Sequence, residues 1–313
     1  MLRQPLSGIF QTCLGTAVFI ASPVFLFYNR AKELLNQLFR QKKRRGAKTM
    51  KIGFIGCGNM GSAMIGGILK KGVFSKNDII VSNLTEEGNR RSKEKLGVTA
   101  TMDNREVVKN ANIVILAVKP QFYEEVISEI RDCLTPEHMI VGIAPGKTLA
   151  WLEEKCGLPL KVVRLMPNTP AQVGEGMTGA CANDRVTRED MEQILAVTDS
   201  FGRTEVVPER LMDAVGAVSG CSPAYVFMFI EAMADAAVAQ GMPRKQAYGF
   251  AAQSVLGSAK MVLETGLHPG VLKDMVCSPA GTTIEGVRTL EKNGFRSAVF
   301  EALQACAEKG KKM

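Results

Sequence analysis

A glycine-rich turn between an apolar run and a helical pattern constrains this chain more than any other stretch. Lys51-Ile-Gly-Phe-Ile-Gly-Cys-Gly-Asn-Met-Gly61 begins with residues of β character, and Ser62-Ala-Met-Ile-Gly-Gly-Ile-Leu69 continues as a helix. Gly56, Gly58 and Gly61 have the G-x-G-x-x-G spacing. Such glycines make a tight bend, admit a pyrophosphate and let the helix pack close to the strand. The stretch therefore predicts a nucleotide-binding turn, with the pyrophosphate on the helix N-terminus.

Alternating β and α patterns follow this turn through the first half of the chain. The expected strands after the first are residues 78–83, 97–101, 112–118, 139–143 and 161–166. Residues 112–118 form a continuous apolar run, which suits a parallel strand covered on both faces. The alternation favours an α/β fold with a Rossmann-type doubly wound parallel sheet.

The second half of the chain changes to helical patterns rich in Ala, Met and Gly. Long helices are expected over 224–240 and 245–264. Helices apolar over so much of their surface must be buried, and a domain of this size has limited interior, so a partner subunit is expected to cover part of it. We predict an N-terminal extension (1–49), an NAD(P)-binding Rossmann domain (50–208) and an all-α dimerisation and substrate domain (209–313).

The formal charge of the chain is concentrated in its N-terminal extension. Residues 1–49 contain nine Lys or Arg and one Glu, which accounts for the whole net charge of +8, while residues 50–313 contain 30 of each sign. The globular part thus gives no electrostatic reason to expect nucleic acid as a partner. Eight scattered cysteines without a C-x-x-C pair, with only two histidines, predict free thiols in a reducing cytosol and no structural zinc.

Two interpretations of the extension remain open. Residues 9–28 are mostly apolar and precede a basic cluster, as in a membrane-spanning helix whose basic flank stays cytoplasmic. Alternatively, Met50 is the natural initiator and the upstream segment is a non-native leader. Both interpretations place residues 50–313 in the cytoplasm, and membrane contact is expected only if residues 9–28 are retained as a helix.

The second strand bears on the choice of cofactor. In NAD-binding members of this fold an acidic residue about 20 positions past the glycines accepts from the ribose 2′-OH. Here the strand ends at Ser82-Asn83-Leu84, without a carboxylate. Ser82 and Asn83 can donate to a 2′-phosphate and Arg90 or Arg91 could approach it, which favours NADP, although the nearby Glu86 and Glu87 weaken the argument.

Two further stretches are candidates for the same site. Ala117-Val118-Lys119-Pro120 follows an apolar strand at the edge where open α/β sheets bind ligands, and Asn168 follows a later strand as a group that could reach a nicotinamide. Lys273-Asp-Met-Val-Cys-Ser-Pro-Ala-Gly-Thr-Thr-Ile-Glu-Gly286 contains a turn before a helix. Thr282 and Glu285 have the spacing of a capping box, and the adjoining N–H groups would form a small anion site.

These motifs together resemble the pyrroline-5-carboxylate reductase family over residues 50–309. The matching stretches, as they stand here, are Gly53-Phe-Ile-Gly-Cys-Gly-Asn-Met-Gly61, Ala117-Val-Lys-Pro120, Arg164-Leu-Met-Pro-Asn-Thr-Pro170, Ser219-Gly-Cys-Ser-Pro-Ala-Tyr225 and the long run from Pro269 to Glu291. The resemblance implies reduction of 1-pyrroline-5-carboxylate to L-proline with NADPH or NADH. It also implies a homodimer or higher homo-oligomer.

The resemblance also implies particular site residues. Substrate contacts would come from Ser278, Gly281, Thr282 and Thr283, with Thr283 hydrogen-bonding the ring nitrogen as the catalytic residue. Cofactor contacts would come from Gly56, Cys57, Gly58, Asn59, Met60, Gly61, Ser82, Asn83, Asn104, Ala117, Val118, Lys119 and Pro120.

The chain departs from the family pattern at three positions. Leu84 replaces a common basic residue, which weakens the NADP assignment; Ala280 replaces a common glycine, and Cys221-Ser222 varies a Ser-Gly pair. A β-hydroxyacid dehydrogenase is disfavoured, because its catalytic lysine has no counterpart in residues 211–243, which contain no Lys or Arg. A non-enzymatic NADP-binding regulator would not need the turn at 278–283.

Overall fold

The computed structural model describes residues 50–311, and the whole account below concerns that range. The interpretations of residues 1–49 as a membrane helix or a non-native leader lie outside the described residues.

One eight-stranded sheet forms the centre of the first domain. Its strands are β1 (Ile52–Ile55), β2 (Ile79–Ser82), β3 (Thr99–Thr101), β4 (Ile113–Leu116), β5 (Met139–Gly142), β6 (Lys161–Met166), β7 (Gly176–Ala182) and β8 (Gly202–Val206). They lie in the order β3-β2-β1-β4-β5-β6-β7-β8, and strands β1 to β6 are parallel. The strand order reverses between β1 and β4, which is where a doubly wound sheet opens a ligand crevice. The predicted fold class is confirmed.

The last two strands are an addition that the sequence patterns did not indicate. Strand β7 runs antiparallel to β6 and pairs in parallel with β8. It is poor in β-branched residues because helices and turns pack tightly against it. A Cβ on Gly179 would lie 2.7 Å from Val215 Cγ1, and one on Gly176 would lie 2.9 Å from the carbonyl oxygen of Phe201. Close packing against glycine, and not β propensity, therefore sets the composition here.

Helices cover both faces of the sheet. They are α1 (Asn59–Lys71), α2 (Glu86–Leu96), α3 (Asn104–Asn110), α4 (Tyr123–Ile130), α5 (Leu149–Cys156) and α6 (Arg188–Thr198). One core packs on each face, the first around Tyr123, Ile130 and Leu152, the second around Phe54, Met64 and Phe201. Helix α1 ends at Gly72, which caps it in the left-handed conformation at φ 68°.

The second domain is helical. It contains α7 (Met212–Val215), a π-helical segment (Gly216–Cys221), α8 (Ser222–Ala239), α9 (Arg244–Thr265), α10 (Pro269–Val276), α11 (Thr282–Lys292) and α12 (Phe295–Gly310). The two long helices lie within two residues of their predicted bounds. Helices α10, α11 and α12 bury none of their residues within the chain. This domain therefore lacks a core large enough to cover its own apolar side chains.

A polar junction joins the two domains. Arg164 of β6 is buried, and its Nη1 donates to Glu209 Oε1 at 3.2 Å while Nη2 lies 3.8 Å from Asp213 Oδ1. Glu209 Oε1 also accepts from the backbone N–H of Leu149 at 2.7 Å. Removing one member of such a buried ion pair leaves an uncompensated charge, so these contacts fix how the helical domain begins on the sheet.

Candidate active site

The glycine turn has three distinct local environments. Gly56 adopts φ +93°, and a Cβ there would lie 2.9 Å from the carbonyl oxygen of Ala117. A Cβ on Gly61 would lie 2.8 Å from the carbonyl oxygen of Gly56, whereas one on Gly58 would meet nothing within 4 Å. Gly56 therefore makes the bend, Gly61 brings helix and turn together, and Gly58 leaves space in front of α1.

The N-terminus of α1 faces this open space. Its first intrahelical bond runs from Ser62 N to Gly58 O at 2.9 Å, so the N–H groups of the first three helical residues have no partner within the helix. A cleft of about 820 Å³ starts at Gly58 and Asn59 and runs along α1 to Arg91 and Lys95 of α2. A dinucleotide phosphate chain fits the donor set at its start, and the cations lie farther along the same cleft.

The polar side chains after β2 are already bonded within the protein. Ser82 is buried, and its hydroxyl donates to Asn104 Oδ1 at 2.6 Å. Asn104 Nδ2 donates in turn to Glu129 Oε2 at 2.7 Å. Asn83 Nδ2 donates to Asn89 Oδ1 at 3.0 Å and to Ser92 Oγ at 3.2 Å. The structure thus brings Ser82 and Asn104 together, while the side chain of Asn83 is directed onto α2.

Tyr123 is a residue that the sequence patterns missed. Its hydroxyl is fully buried, donates to the carbonyl oxygen of Leu116 at 2.5 Å, and accepts from the N–H groups of Ile143 at 2.9 Å and Ala144 at 3.0 Å. Burial raises the pKa of Tyr123, so the phenol stays neutral. It ties the ends of β4 and β5 together at the crevice, just before Ala117. A tyrosine at the start of the amphipathic helix Tyr123–Ile130 gave no local signal of this role.

Tyr123→Phe is expected to destabilise the protein by about 2–4 kcal/mol. The change leaves two backbone N–H groups and a carbonyl of the crevice edge without their buried partner, and each such group costs about 1–3 kcal/mol. Urea unfolding of both proteins measures the difference. Tyr225→Phe, which removes a part-buried hydroxyl that bonds to the Cys306 thiol, is the matched control; equal losses for the two variants would contradict the bridging role of Tyr123.

Lys119 and Asn168 both lie at the crevice but differ in their exposure to solvent. Lys119 is exposed and directly precedes the short 3-10 helix Pro120–Phe122. Asn168 is buried, accepts from Met177 N at 2.8 Å and donates to Ser219 O at 2.9 Å. Its amide therefore joins the crevice to the π-helical segment of the second domain instead of extending toward a nicotinamide.

The turn before α11 has an open helix N-terminus. Gly281 N donates to Ser278 O at 3.1 Å, and the Ser278 hydroxyl lies so close to Gly281 that a Cβ would displace it. The Thr282 and Thr283 side chains are exposed and, within residues 50–311, form no hydrogen bond. The predicted capping box is wrong. Gly281 is the N-cap and has no side-chain capping bond, because Thr282 is already the first helical residue and Glu285 pairs with Arg288.

Ala280 carries backbone strain in the same turn. It adopts φ 56°, the left-handed conformation that favours glycine, and no other non-glycine residue of the described chain has a positive φ. An L-residue there costs about 1–2 kcal/mol. The left-handed conformation redirects the chain just before α11. The N–H groups at the start of α11 therefore stay uncovered and lie together at this turn.

The turn Ser278–Thr283 is separate from the glycine turn of its own chain. Among the described residues no hydrogen bond or ion pair joins Ser278–Thr283 to the first domain, and α10 and α11 on either side bury nothing. Each chain thus presents the glycine turn on one domain and the turn before α11 on the other, without a hydrogen bond or ion pair between them in the described residues.

The fold and the glycine turn define a Rossmann-type NADP-dependent oxidoreductase with an added helical domain. The family model described as "NADP oxidoreductase coenzyme F420-dependent" matches residues 51–146, and "Pyrroline-5-carboxylate reductase dimerisation" matches residues 209–313. The Escherichia coli pyrroline-5-carboxylate reductase is 52% identical over 263 residues, covering 84% of this chain and 98% of that protein; the Arabidopsis thaliana one is 39% identical over 267 residues, covering 85% and 96%.

Solved structures of pyrroline-5-carboxylate reductases have the same fold as this chain. The structure of Plasmodium falciparum pyrroline carboxylate reductase with NADP bound superposes with a TM-score of 0.78 at 33% identity, covering 85% of this chain and 99% of that one. The Coxiella burnetii pyrroline-5-carboxylate reductase has a TM-score of 0.78 at 35% identity, covering 85% and 98%. The chain belongs to the pyrroline-5-carboxylate reductase family, and the predicted family membership is confirmed.

Proposed function

We propose that this chain reduces the C=N bond of 1-pyrroline-5-carboxylate to L-proline with NADPH, the last step of proline biosynthesis. The observation that carries this function is the 52% identity to the Escherichia coli reductase over 98% of that protein's length. NADPH is the expected reductant because an NADP-binding family model covers residues 51–146. NADH remains an alternative reductant, since Leu84 stands exposed where a basic residue would mark the 2′-phosphate.

The residues at the crevice fit a dinucleotide. Gly56 makes the bend, and its own N–H donates to the carbonyl oxygen of Ser82 at 3.0 Å. The pyrophosphate would be held by the N–H groups of Cys57, Gly58, Asn59, Met60 and Gly61, because the position in front of Gly58 is open and α1 points its free donors there. Ser82, Asn83 and Asn104 would hold the adenosine ribose, with Arg91 on the cleft side for a 2′-phosphate. Ala117, Val118, Lys119 and Pro120 would line the ribose near the nicotinamide.

The substrate would bind at the N-terminus of α11. Its carboxylate would lie beside Gly281, whose own N–H donates to Ser278 O at 3.1 Å, and would accept hydrogen bonds from the N–H groups of Thr282 and Thr283, where the helix dipole also favours a negative charge. Ser278 would contribute its hydroxyl, which already lies over Gly281. Thr283 would place its free hydroxyl against the ring nitrogen beside that carboxylate.

The chemistry needs little acid–base apparatus. The bound nicotinamide supplies a hydride to the imine carbon. The ring nitrogen keeps the proton of the iminium form, or gains one, while the Thr283 hydroxyl holds it at hydrogen-bond distance. Anchoring the carboxylate on the α11 N–H groups fixes the ring, so orientation supplies most of the rate enhancement.

A complete site is proposed to need two subunits. Among the described residues no hydrogen bond or ion pair joins the turn Ser278–Thr283 to the glycine turn of its own chain, and the second domain exposes large apolar side chains. Those more than half exposed there are Val218, Phe227, Met228, Phe250, Leu256, Leu263, Met275, Val276 and Phe300. Exposed apolar surface of this extent marks an interface. We place the α11 turn of one subunit over the crevice of its partner in a homodimer or a higher oligomer.

One helical run also bears on localisation. Residues Glu209–Ala239 are long and apolar enough to cross a membrane by length and composition, and only 6% of their most apolar window is buried. Since this run lies inside the region matched by the dimerisation model, we assign it to the subunit interface and place the enzyme in the cytoplasm. Membrane contact would depend on residues 9–28 alone.

A single assay tests the proposed function. The full chain and a version starting at Met50 are each incubated with NADPH and 1-pyrroline-5-carboxylate, and proline formation is measured with NADPH oxidation. Both are expected to form one proline per NADPH oxidised. If NADPH were oxidised by the carbonyl form of a β-hydroxyacid but not by the imine, the proposal would be overturned. Parallel reactions with NADH give the cofactor preference.

A further inference from the structure

One buried amide, that of Asn168, bonds to both domains at the crevice. Its Oδ1 accepts from the backbone N–H of Met177 at 2.8 Å in β7, and its Nδ2 donates to the carbonyl oxygen of Ser219 at 2.9 Å in the π-helical segment. A backbone N–H can only donate and a carbonyl can only accept. The two contacts therefore require a side chain that carries both a donor and an acceptor.

The Ser219 carbonyl cannot receive the usual α-helical hydrogen bond. The π-helical segment ends at Cys221, and α8 begins at Ser222. The α-helical donor for Ser219 would be the N–H four residues later, and that residue is Pro223, which has no N–H. Asn168 supplies a donor in its place from the first domain, so the contact occupies a carbonyl that the helix itself leaves open.

The π-helical segment packs on the edge of the crevice and leads directly into α8. A Cβ on Gly216 would lie 3.7 Å from Met166 Cε of β6, and the Ser219 hydroxyl donates to Val215 O at 2.8 Å. Helix α8 continues from this segment at Ser222, inside the run assigned above to the subunit interface. A shift of the Ser219 carbonyl would therefore be carried by α8 into that interface.

We propose that Asn168 is a positioning residue for hydride transfer, which sets the orientation of the helical domain relative to the crevice by holding the π-helical segment. The inference rests on the proposed function, in which the substrate turn of a partner subunit lies over the crevice. Asn168 acts through the backbone of Ser219 and not on the reacting atoms. A misplacement of about 1 Å between donor and acceptor can lower a rate about 10²-fold.

Asn168→Asp tests this role, because it removes one donor group and keeps the size of the side chain. The ionised carboxylate can accept from Met177 N–H but cannot donate to the Ser219 carbonyl, whereas the protonated acid can do both. Burial raises the pKa of such a carboxyl group. We expect kcat about 10²-fold below that of the unaltered enzyme at about pH 8, with the deficit shrinking as the pH falls to about 5.5.

Two further quantities separate positioning from a general loss of structure. The deuterium isotope effect on kcat, measured with NADPH labelled at the transferred hydrogen, should rise at about pH 8, because hydride transfer becomes the slow step. NADPH affinity should be nearly unchanged. Asn168→Ser also loses the bond to Ser219 but adds no charge, so its kcat should fall by a factor that does not change with pH.

Asn183→Asp is the matched control. Asn183 Oδ1 accepts from Val162 N at 3.2 Å and Nδ2 donates to Leu160 O at 2.9 Å, the same pair of backbone bonds within the first domain alone. Its amide also donates to Glu153, so a carboxylate there should lower stability as well. We expect kcat to stay nearly unchanged. An equal kcat loss in Asn183→Asp and Asn168→Asp would overturn the proposal.

Hydrogen exchange gives a measurement that does not depend on activity. The peptide covering residues 212–225 should exchange faster in Asn168→Asp than in the unaltered enzyme at about pH 8, and at nearly the same rate at about pH 5.5. Unchanged exchange, or a kcat equal to that of the unaltered enzyme at every pH, would overturn the proposal. If the unaltered enzyme forms no proline, the proposed function fails, while the exchange rates still decide whether Asn168 holds this segment.

Discussion

Thr283→Ala is expected to lower kcat by about 10²–10³-fold, the range found when one positioned hydrogen-bonding group is removed from a reaction centre. The Thr283 hydroxyl is exposed in the first turn of α11 and has no partner within the described chain, so it is free to hold the ring nitrogen. NADPH affinity should be nearly unchanged, because within residues 50–311 no hydrogen bond or ion pair joins this turn to the glycine turn. Steady-state kinetics and a fluorescence titration with NADPH measure the two quantities.

Two variants act as controls for that experiment. Thr283→Ser keeps the hydroxyl and should recover most of the lost kcat. Thr289→Ala lies on the same helix, where the hydroxyl only bonds to the carbonyl of Glu285 at 2.9 Å, and should leave kcat unchanged. A Thr283→Ala enzyme with a wild-type kcat, or one that loses NADPH binding to the same degree as turnover, would contradict the assigned role.

The parts of the fold that could be predicted depend on local rules. Gly56 needs a positive φ and Gly72 ends a helix in the left-handed conformation, and both requirements are visible as glycines at the expected spacing. Residues 113–116 form a buried parallel strand because they are apolar throughout. Strand β7 escaped prediction because its Gly and Ala content is imposed by neighbours such as Val215, which are distant in sequence.

The candidate site also has features that local sequence rules predict and features that they do not predict. A turn with free N–H groups could be expected from Gly281 and the helix that follows, but the identity of the helix cap could not. Whether Thr282 lies outside the helix or begins it depends on the strained backbone at Ala280. The roles of Tyr123 and Asn168 depend on partners 7 to 51 residues away, and no spacing rule connects such positions.

Phe250→Asp is expected to dissociate the oligomer and to lower activity at least about 100-fold. Phe250 lies on α9 with 68% of its surface exposed in the isolated chain, within a domain whose apolar side chains are largely uncovered. If a partner subunit covers it, a carboxylate there would be buried without a counter-ion, at a cost that exceeds the packing it replaces. Sedimentation velocity measures the assembly, and the proline-forming assay measures the activity.

Because the proposed site is shared by two subunits, this variant tests which subunit completes the site as well as the oligomeric state. Val206→Asp is the matched control, because Val206 is an apolar residue of the first domain that is 54% exposed and belongs to β8; it should keep both assembly and activity. The dissociated Phe250→Asp chain should still bind NADPH, since the first domain has its own two cores. Full activity in a monomer would mean that Thr283 acts on the cofactor of its own chain, and would exclude a site completed by the partner.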